Sequence, residues 1–209
     1  MEKVDLKKRL PDYFAVSANE FSLVRLPPCH YLMVDGEGDP NTSPDYEQAI
    51  ELLYGASYTL KFLSKKEGLL DYVVPPLEGL WWADDVQTFE AGDKSSWKWT
   101  MMIMVPPQVP ESLVVKSLED FHIKKPGAPI SRIRYESLNE GLVVQILHVG
   151  PYDAEGPTLA RLHEEFMPDN SLTFNGKHHE VYLGDVRRTA PERLKTILRQ
   201  PVAAARSRT

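Results

Sequence analysis

The stretch HYLMVDGEGDP, residues 30–40, decides the fold, because a similar pattern returns as VVQILHVGPYD at residues 143–153. In each copy a strand-like apolar run ends in a glycine-containing turn and leads into a helical pattern. These helices are predicted at 44–67 and at 154–167. Two long copies indicate a pair of related modules and not a solenoid, which requires about three or more short repeats.

A second pair of matching segments follows the two predicted helices. PPLEGLWWAD at 75–84 corresponds to GKHHEVYLGD at 176–185, and each has a glutamate shortly before large apolar side chains. The chain is therefore predicted to be an α+β protein, a pseudo-two-fold tandem of strand–helix–strand–strand modules. Such modules commonly share an antiparallel sheet that carries its helices on one side. The other side is then expected to form a concave, aromatic-lined cleft.

The repeat also sets the expected domain boundaries. A single domain is predicted over residues 20–202, with module one at about 20–108 and module two at about 109–202. Residues 1–19 are then an N-terminal extension. The last residues, 203–209, are expected to be a frayed basic tail, because little holds a polar terminus in place.

Several helix ends have recognisable sequence signals. Ser43 is a candidate N-cap for the long helix, Pro44 suits its first turn, and Gly68 suits its end. A shorter helix is predicted at 110–124, before a Pro-Gly pair. Asp153 is the predicted cap of the helix in module two.

The segment TAPERLKTILRQPV, residues 189–202, contains a further helix signal. Thr189 and Glu192 have the T-x-x-E spacing of a capping box, in which the two side chains satisfy each other's backbone N–H groups. A final helix is therefore predicted there.

Composition excludes several classes of protein. The 209 residues carry a net charge of −6 and a sequence pI of about 5.5, which argues against direct nucleic-acid binding through a broad basic face. The single cysteine, Cys29, leaves no internal disulfide and fits a reducing cytoplasm. The charged start MEKVDLKKRLPDYF has no signal-peptide core, and the apolar run MMIMV is too short to span a membrane. A soluble, cytoplasmic protein is expected, and its oligomeric state is left open.

The two adjacent histidines of HHEVY do not predict a metal site. Strand side chains alternate between faces, so His178, Glu180 and Tyr182 share one face, while His179 and Val181 share the other. Neighbouring histidines on opposite faces do not bind one metal, and the chain has neither an HExxH helix nor paired CxxC motifs. Glu180 then either lies on a solvated face or lines a cavity.

Aromatic and apolar side chains are in excess on two predicted strands. WKWTMMIMV, residues 97–105, is apolar on both faces in its second half, and Trp81 and Trp82 must point to opposite faces. Surplus aromatic surface is typical of a ligand-binding cleft. A sheet buried on both faces, or a dimer interface, would explain the same pattern.

Four long segments resemble the stand-alone GyrI-like small-molecule-binding family, which is related to effector domains of multidrug-responsive transcription activators. The resemblance covers most of residues 20–202 and rests on YLMVDGEGDPN followed by SPDYEQAIELLYGASYTLKF, PPLEGLWW, ILHVGPYDAEGPTLARLHEEF and HHEVYLGDVRRTAPERLKTILRQPV. It implies a tandem of strand–helix–strand–strand (SHS2) modules around a central pocket lined by aromatic residues.

The resemblance also implies a role for Glu180, which matches the pocket glutamate that attracts cationic aromatic drugs in the regulator relatives. A carboxylate among aromatic rings either pairs with a cationic ligand or acts as a general acid or base. One subgroup of the family hydrolyses cyclopropane-bearing DNA-alkylating toxins of the yatakemycin type without a metal or organic cofactor. By this resemblance Glu180 is the base or water-orienting group and Tyr182 positions the water or the substrate carbonyl. The candidates for the aromatic cage are Tyr54, Tyr58, Trp81, Trp82, Trp99, Tyr152 and Phe174.

Most of these candidates have a structural interpretation as well. Tyr54 and Tyr58 lie four residues apart and would also suit packing of the helix on the sheet. Period alone does not decide which of Trp81 and Trp82 belongs to the core. Glu78, the counterpart of Glu180 in module one, is interpreted as structural, while other candidates such as His148 remain open.

Three functions are compatible with the sequence. The first is an enzyme that hydrolyses electrophilic aromatic toxins in the cleft. The second is a binding protein that sequesters or senses drug-like aromatic molecules. The third is an inhibitor of a topoisomerase-type partner. About 20 residues precede the first predicted strand, too few for a helix-turn-helix unit, so direct regulation of transcription is not expected.

Overall fold

The computed structural model describes residues 2–84 and 94–205. The described residues form two compact units, made of residues 2–9, 29–84 and 94–138 and of residues 10–28 and 139–205. Residues 85–93 lie outside the described residues. Among those residues the structure has no helix with the length and apolar character that a membrane span requires.

The strands of the described residues are, in chain order, β1 (Lys3–Val4), β2 (Ser22–Leu26), β3 (Cys29–Glu37), β4 (Asp71–Tyr72), β5 (Leu77–Trp82), β6 (Lys98–Val105), β7 (Arg134–Leu138), β8 (Gly141–Val149), β9 (Leu172–Phe174), β10 (His178–Tyr182) and β11 (Lys195–Ala204). The helices are α1 (Leu6–Arg9), α2 (Pro11–Phe14), α3 (Pro44–Lys66), α4 (Glu111–Lys124), α5 (Gly156–Ala160) and α6 (Met167–Asp169). A π-helix, Arg161–Phe166, joins α5 to α6.

Unit one is built on an antiparallel sheet in the order β5-β6-β3-β7. The long helix α3 packs on one face of this sheet through small and aliphatic side chains such as Ala49, Leu53 and Ala56, which are fully buried. Gly36 in β3 allows this packing, because a Cβ there would lie 2.1 Å from Cη2 of Trp99. The second helix, α4, packs against α3, where Phe121 lies over Gly55.

Unit two is built on an antiparallel sheet in the order β2-β8-β11-β10, with β9 paired to the end of β11. The helical segment 156–169 packs on one face of this sheet, where Leu162 and Met167 form a buried cluster with Val144 and Val202. The opposite face is covered by the segment around Tyr13, whose backbone and ring contact Arg199.

The predicted tandem of strand–helix–strand–strand modules is confirmed. Unit one contains β3, α3, β5 and β6 in chain order, and unit two contains β8, the helical segment 156–169, β10 and β11. The predicted helices at 44–67 and 110–124 are present, and the Ser43 hydroxyl caps α3 by accepting a hydrogen bond from the Tyr46 N–H at 3.3 Å.

The two units divide the chain at other positions than predicted. The strand Ser22–Leu26, expected in module one, pairs with β8 of unit two. The helix Glu111–Lys124, expected in module two, packs on α3 in unit one. Part of the expected N-terminal extension is also structured, since β1 pairs with β4 and Tyr13 is buried. Backbone pairing and core contacts, and not order along the chain, determine which unit a segment joins.

The final helix predicted from Thr189 and Glu192 is wrong. A short 3₁₀ turn at Pro191–Arg193 leads directly into β11, a strand that hydrogen-bonds to β8, β9 and β10. Pairing on both sides outweighs a local capping signal. The strand also holds the start of the expected frayed tail, because Ala203 and Ala204 pair with β9; residues 206–209 lie outside the described residues.

The helix of module two begins later than predicted. Asp153 lies in a 3₁₀ turn, and the residue at the N-cap of α5 is Glu155, without a side-chain capping hydrogen bond. The helix then widens into the π-helix Arg161–Phe166 before α6. Segments of π-helix are rare and frequently lie beside functional sites.

Candidate functional site

Strand β10 places the predicted carboxylate on one face of unit two. Glu180 pairs with Leu198 of β11, which in turn pairs with Ile146 of β8. Because directly opposed residues share a face, Glu180 lies on the same face as Ile146 and its i−2 neighbour Val144. This is the face on which the helical segment 156–169 packs.

Glu180 lies between two neighbours on its own face of β10, His178 and Tyr182. The Tyr182 hydroxyl donates a hydrogen bond of 2.7 Å to Oε2 of Glu180. On the other side, Nε2 of His178 lies 3.4 Å from Oε1. The Glu180 side chain is 16% exposed and that of His178 is 7% exposed, so the carboxylate is at the border between the core and solvent.

Tyr152 places a second aromatic ring beside Tyr182. Its ring meets the ring of Tyr182 edge to face, with centroids 5.7 Å apart, and about a third of the residue is exposed. The turn before it requires Gly150, whose φ of 144° is rarely adopted by other residues. Nε2 of His148 lies 3.2 Å from the Pro151 carbonyl oxygen, so this histidine braces the turn.

His163 and Phe174 lie on the helical side of the same face. His163 belongs to the π-helix, and its ring meets the ring of Phe174 edge to face at 4.9 Å. Burial, with a smaller contribution from the charge of His178, lowers the pKa of His163 to about 4. The imidazole is therefore neutral at physiological pH, while Phe174 exposes more than half of its surface.

The opposite face of unit two carries a buried ionic network. Nδ1 of His179 lies 2.9 Å from Oε1 of Glu140, and Nη1 of Arg199 lies 3.5 Å from Oε2. Burial alone would raise the pKa of Glu140, but the charges and hydrogen bonds of His179 and Arg199 outweigh it and hold the pKa below its usual value. Arg199 also donates to Oε1 of Gln145 at 3.1 Å and to the Tyr13 carbonyl at 2.8 Å.

Unit one contains the other predicted aromatic residues, and two of them are in its core. Tyr46 of α3 packs against Trp81 and Trp99, with ring centroids 6.0 and 5.2 Å away. Trp99 is fully buried, and Trp81 is 4% exposed. Trp82 lies on the opposite face and is partly exposed. The packing thus assigns Trp81 to the core, and we leave Trp81 and Trp99 out of the proposed site.

Tyr54 and Tyr58 form a row of rings along α3. Their rings stack with centroids 6.3 Å apart, and Phe62 continues the row at the same spacing. Tyr58 is half exposed. Both tyrosines belong to unit one, whereas Glu180, Tyr182, Tyr152 and Phe174 belong to unit two. Contacts through Tyr182 link Glu180 and Tyr152, whereas Phe174 lies on β9 and contacts His163.

The two matched glutamates differ in their placement. Glu78 pairs with Met102 and faces away from Trp81 and therefore away from α3. Glu180 lies on the helix-covered face of its own unit. In the two matched segments Glu78 therefore corresponds to the residue before Glu180. A shift of one residue along a strand moves a side chain to the opposite face of the sheet. Glu78 is fully buried, consistent with its structural interpretation.

Sequence reasoning placed His178 on the face of Glu180 without a role, and it missed His163 and the Glu140–His179–Arg199 network. A charged residue inside TILRQPV could have indicated a buried partner. No cluster of His, Cys, Asp or Glu among residues 2–84 and 94–205 is arranged to hold a metal ion. A groove of about 350 Å³ beside Gln48 and Phe121 in unit one contains none of the predicted site residues.

Comparison with known proteins places this geometry in a family. The model of the GyrI-like small-molecule-binding domain matches residues 19–203. A conserved protein of Listeria innocua is 38% identical, with a TM-score of 0.89, over 96% of this chain and 100% of its own. A hydrolase of Listeria innocua is 37% identical, with a TM-score of 0.83 and the same coverage.

More distant proteins share the fold alone. The C-terminal domain of EcmrR has a TM-score of 0.55 at 14% identity, over 89% of this chain and 98% of that domain. No curated protein matches the chain. The family match spans nearly the whole sequence and agrees with the tandem modules described above. The chain therefore belongs to the family of GyrI-like small-molecule-binding domains.

Proposed function

We propose that this protein binds aromatic small molecules beside Glu180 and hydrolyses electrophilic, cyclopropane-bearing ones, with Glu180 as the base or water-orienting group. The observation that carries the proposal is that Tyr182 contacts both Glu180 and Tyr152. Its hydroxyl donates to the carboxylate at 2.7 Å, and its ring meets the ring of Tyr152 edge to face. Similarity to a hydrolase of Listeria innocua over nearly the full chain supports a hydrolytic reaction.

The arrangement suits an electrophile whose ring opens without a metal. Tyr182 occupies Oε2 of Glu180, which leaves Oε1 on the side of His178 to accept a proton from water. The water oxygen then bonds to the cyclopropane CH₂, and the strained C–C bond breaks. Its electron pair moves into the conjugated carbonyl, whose oxygen takes up a proton from solvent, and Glu180 returns the proton of the water to solvent. The product is the substrate plus one water, so no cofactor is consumed.

The exposed aromatic residues of unit two would supply the binding surface. Tyr152 is 37% exposed and Phe174 is 55% exposed, both well above the exposure of core aromatics. Exposed rings near a carboxylate attract flat ligands through stacking, and cationic ones through charge. The same features fit a second candidate function, in which the protein sequesters such molecules without turnover.

We predict that Glu180→Gln lowers turnover of a spirocyclopropane electrophile by about 100-fold or more, because a positioned general base typically contributes that much. Purified protein is incubated with the electrophile, and the ring-opened alcohol is followed by mass spectrometry. Glu192→Gln, which removes an exposed carboxylate of the same unit, is the matched control and keeps the wild-type rate. Equal turnover by wild type and Glu180→Gln would refute the assignment. Ligand binding without any turnover would leave the sequestering function.

A further inference from the structure

Two histidines on the helix-covered face of unit two contain buried nitrogen atoms that the described residues do not satisfy. Both ring nitrogens of His178 and Nε2 of His163 are buried, and neither ring has a hydrogen-bond partner for these atoms in the described part of the chain. Buried polar atoms of native proteins are hydrogen-bonded in about 90% of cases or more, and exceptions frequently indicate a functional site. His178 is the more informative of the two, since it is 7% exposed and lies next to Glu180.

The position of His178 relative to the carboxylate is defined by the strand. His178 and Tyr182 flank Glu180 at i−2 and i+2 on the same face, so each is next to one carboxylate oxygen. Tyr182 already donates to Oε2 at 2.7 Å, whereas Nε2 of His178 is 3.4 Å from Oε1. The second distance is only slightly longer than a hydrogen bond, and such contacts in ligand-free sites often shorten when a ligand binds.

We propose that His178 is a positioning residue for Glu180 and that its protonation state sets which ligands the site accepts. The neutral imidazole donates an N–H to one lone pair of Oε1 while Tyr182 holds Oε2, so the carboxylate keeps its charge and its direction, and the second lone pair of Oε1 remains for water. The protonated imidazole cancels that charge and removes the preference for a cationic aromatic ligand. This inference rests on the proposed function, because it assumes that ligands bind beside Glu180.

Two titratable neighbours of His178 lie on two different elements. Glu180 is beside it on its own strand and His163 is on the π-helix, while β11 presents Leu198 and Gln200 on this face. Because burial lowers the pKa of His163 to about 4, that ring remains neutral above pH 5 and does not contribute a charge change. His148 of β8 is on the same face but is engaged with the Pro151 carbonyl.

The test uses two dyes with the same tricyclic ring, cationic 10-methylacridinium and neutral N-methylacridone. Their affinities are measured by fluorescence between pH 5.5 and pH 8, a range in which histidine normally changes charge. For wild type, we expect the affinity for the cation to fall about tenfold from pH 8 to pH 5.5, while that for the neutral dye is unchanged. His178→Gln keeps an N–H donor but has no titratable ring. We expect it to keep the high-pH affinity for the cation over the whole pH range, without the fall in affinity at low pH, called here the pH step.

A second variant and a control complete the test. His178→Leu removes the donor and is expected to weaken cation binding about three- to tenfold at pH 8, with the neutral dye unaffected. His122→Gln, an exposed histidine of α4, is expected to behave as wild type. Thermal unfolding checks that each variant is folded. If His178→Leu does not fold, the pH dependence of His178→Gln alone tests the role of His178.

The outcomes separate this inference from the proposed function. The same pH step in wild type and His178→Gln overturns the role of His178, and the proposed function stands if Glu180→Gln still abolishes the preference for the cation. Binding of neither dye by wild type overturns both. Loss of the step in His178→Gln, with the affinity for N-methylacridone unchanged, supports the inference.

Discussion

Arg199→Met is expected to lower the free energy of unfolding by about 3–5 kcal/mol, the usual cost of removing one partner from a buried ionic network. Arg199 is fully buried. Its guanidinium is shared among Glu140, Gln145 and the Tyr13 carbonyl. Methionine fills much of the volume but leaves Glu140 with His179 alone and the carbonyl without its donor. The change is measured by urea unfolding.

A surface ion pair provides the control for this prediction. Arg187 pairs with Asp185, but its side chain is 80% exposed, so Arg187→Met should leave the urea midpoint unchanged. A loss below about 1 kcal/mol for Arg199→Met would show that the buried network contributes little to stability.

The acid dependence of stability should change in the same variant. The folded pKa of Glu140 lies below its usual value, which stabilises the native state above the unfolded pKa of about 4.5. That stabilisation is lost as the pH falls through the folded pKa. Without Arg199 the pKa of Glu140 is depressed less, so Arg199→Met should lose less stability than wild type on acidification.

Trp99→Ala is expected to lower the free energy of unfolding by about 3–5 kcal/mol, the range found when a large buried ring is removed from a core. Its ring lies in the space above Gly36 and meets Tyr46 at 5.2 Å. Alanine would leave a cavity between β6 and α3 that the backbone around Gly36 does not fill. Chemical unfolding of the variant measures the loss.

Phe174→Ala is the matched comparison, because Phe174 was a candidate for the same aromatic cage on sequence grounds. It exposes 55% of its surface, so its removal should change stability little and weaken binding of aromatic ligands. If Trp99→Ala were as stable as wild type and Phe174→Ala were strongly destabilised, the division between core and ligand-facing aromatics would be reversed.

The fold was predictable because the repeated sequence pattern and the helix-end residues indicate the same elements. The repeat of strand, helix and two strands is visible in the sequence, and the signals at Ser43 and Gly68 coincide with the ends of α3. The capping-box pattern of Thr189 and Glu192 failed, since a local signal of about 1 kcal/mol competes with hydrogen bonding on both sides of β11. Position within the sheet is a non-local property that a short motif does not contain.

The site was predictable in part. Alternation along β10 puts His178, Glu180 and Tyr182 on one face, and the hydrogen bond between Tyr182 and Glu180 agrees with it. Which face of the sheet the helix covers depends on how Leu162 and Met167 pack, and alternation does not reveal that. For the same reason the choice between Trp81 and Trp82 required the position of Tyr46.

In the proposed function the Glu180 carboxylate contacts the bound ligand. The most direct measurement is the ratio of affinities for 10-methylacridinium and N-methylacridone at pH 8, in wild type and in Glu180→Gln. Since the rings are the same, stacking cancels in the ratio and the charge of the ligand remains. We expect wild type to prefer the cation by about tenfold, the effect of one partly exposed carboxylate, and Glu180→Gln to bind both dyes alike. An unchanged ratio in Glu180→Gln would contradict the proposed contact and show that the ligand binds away from this carboxylate.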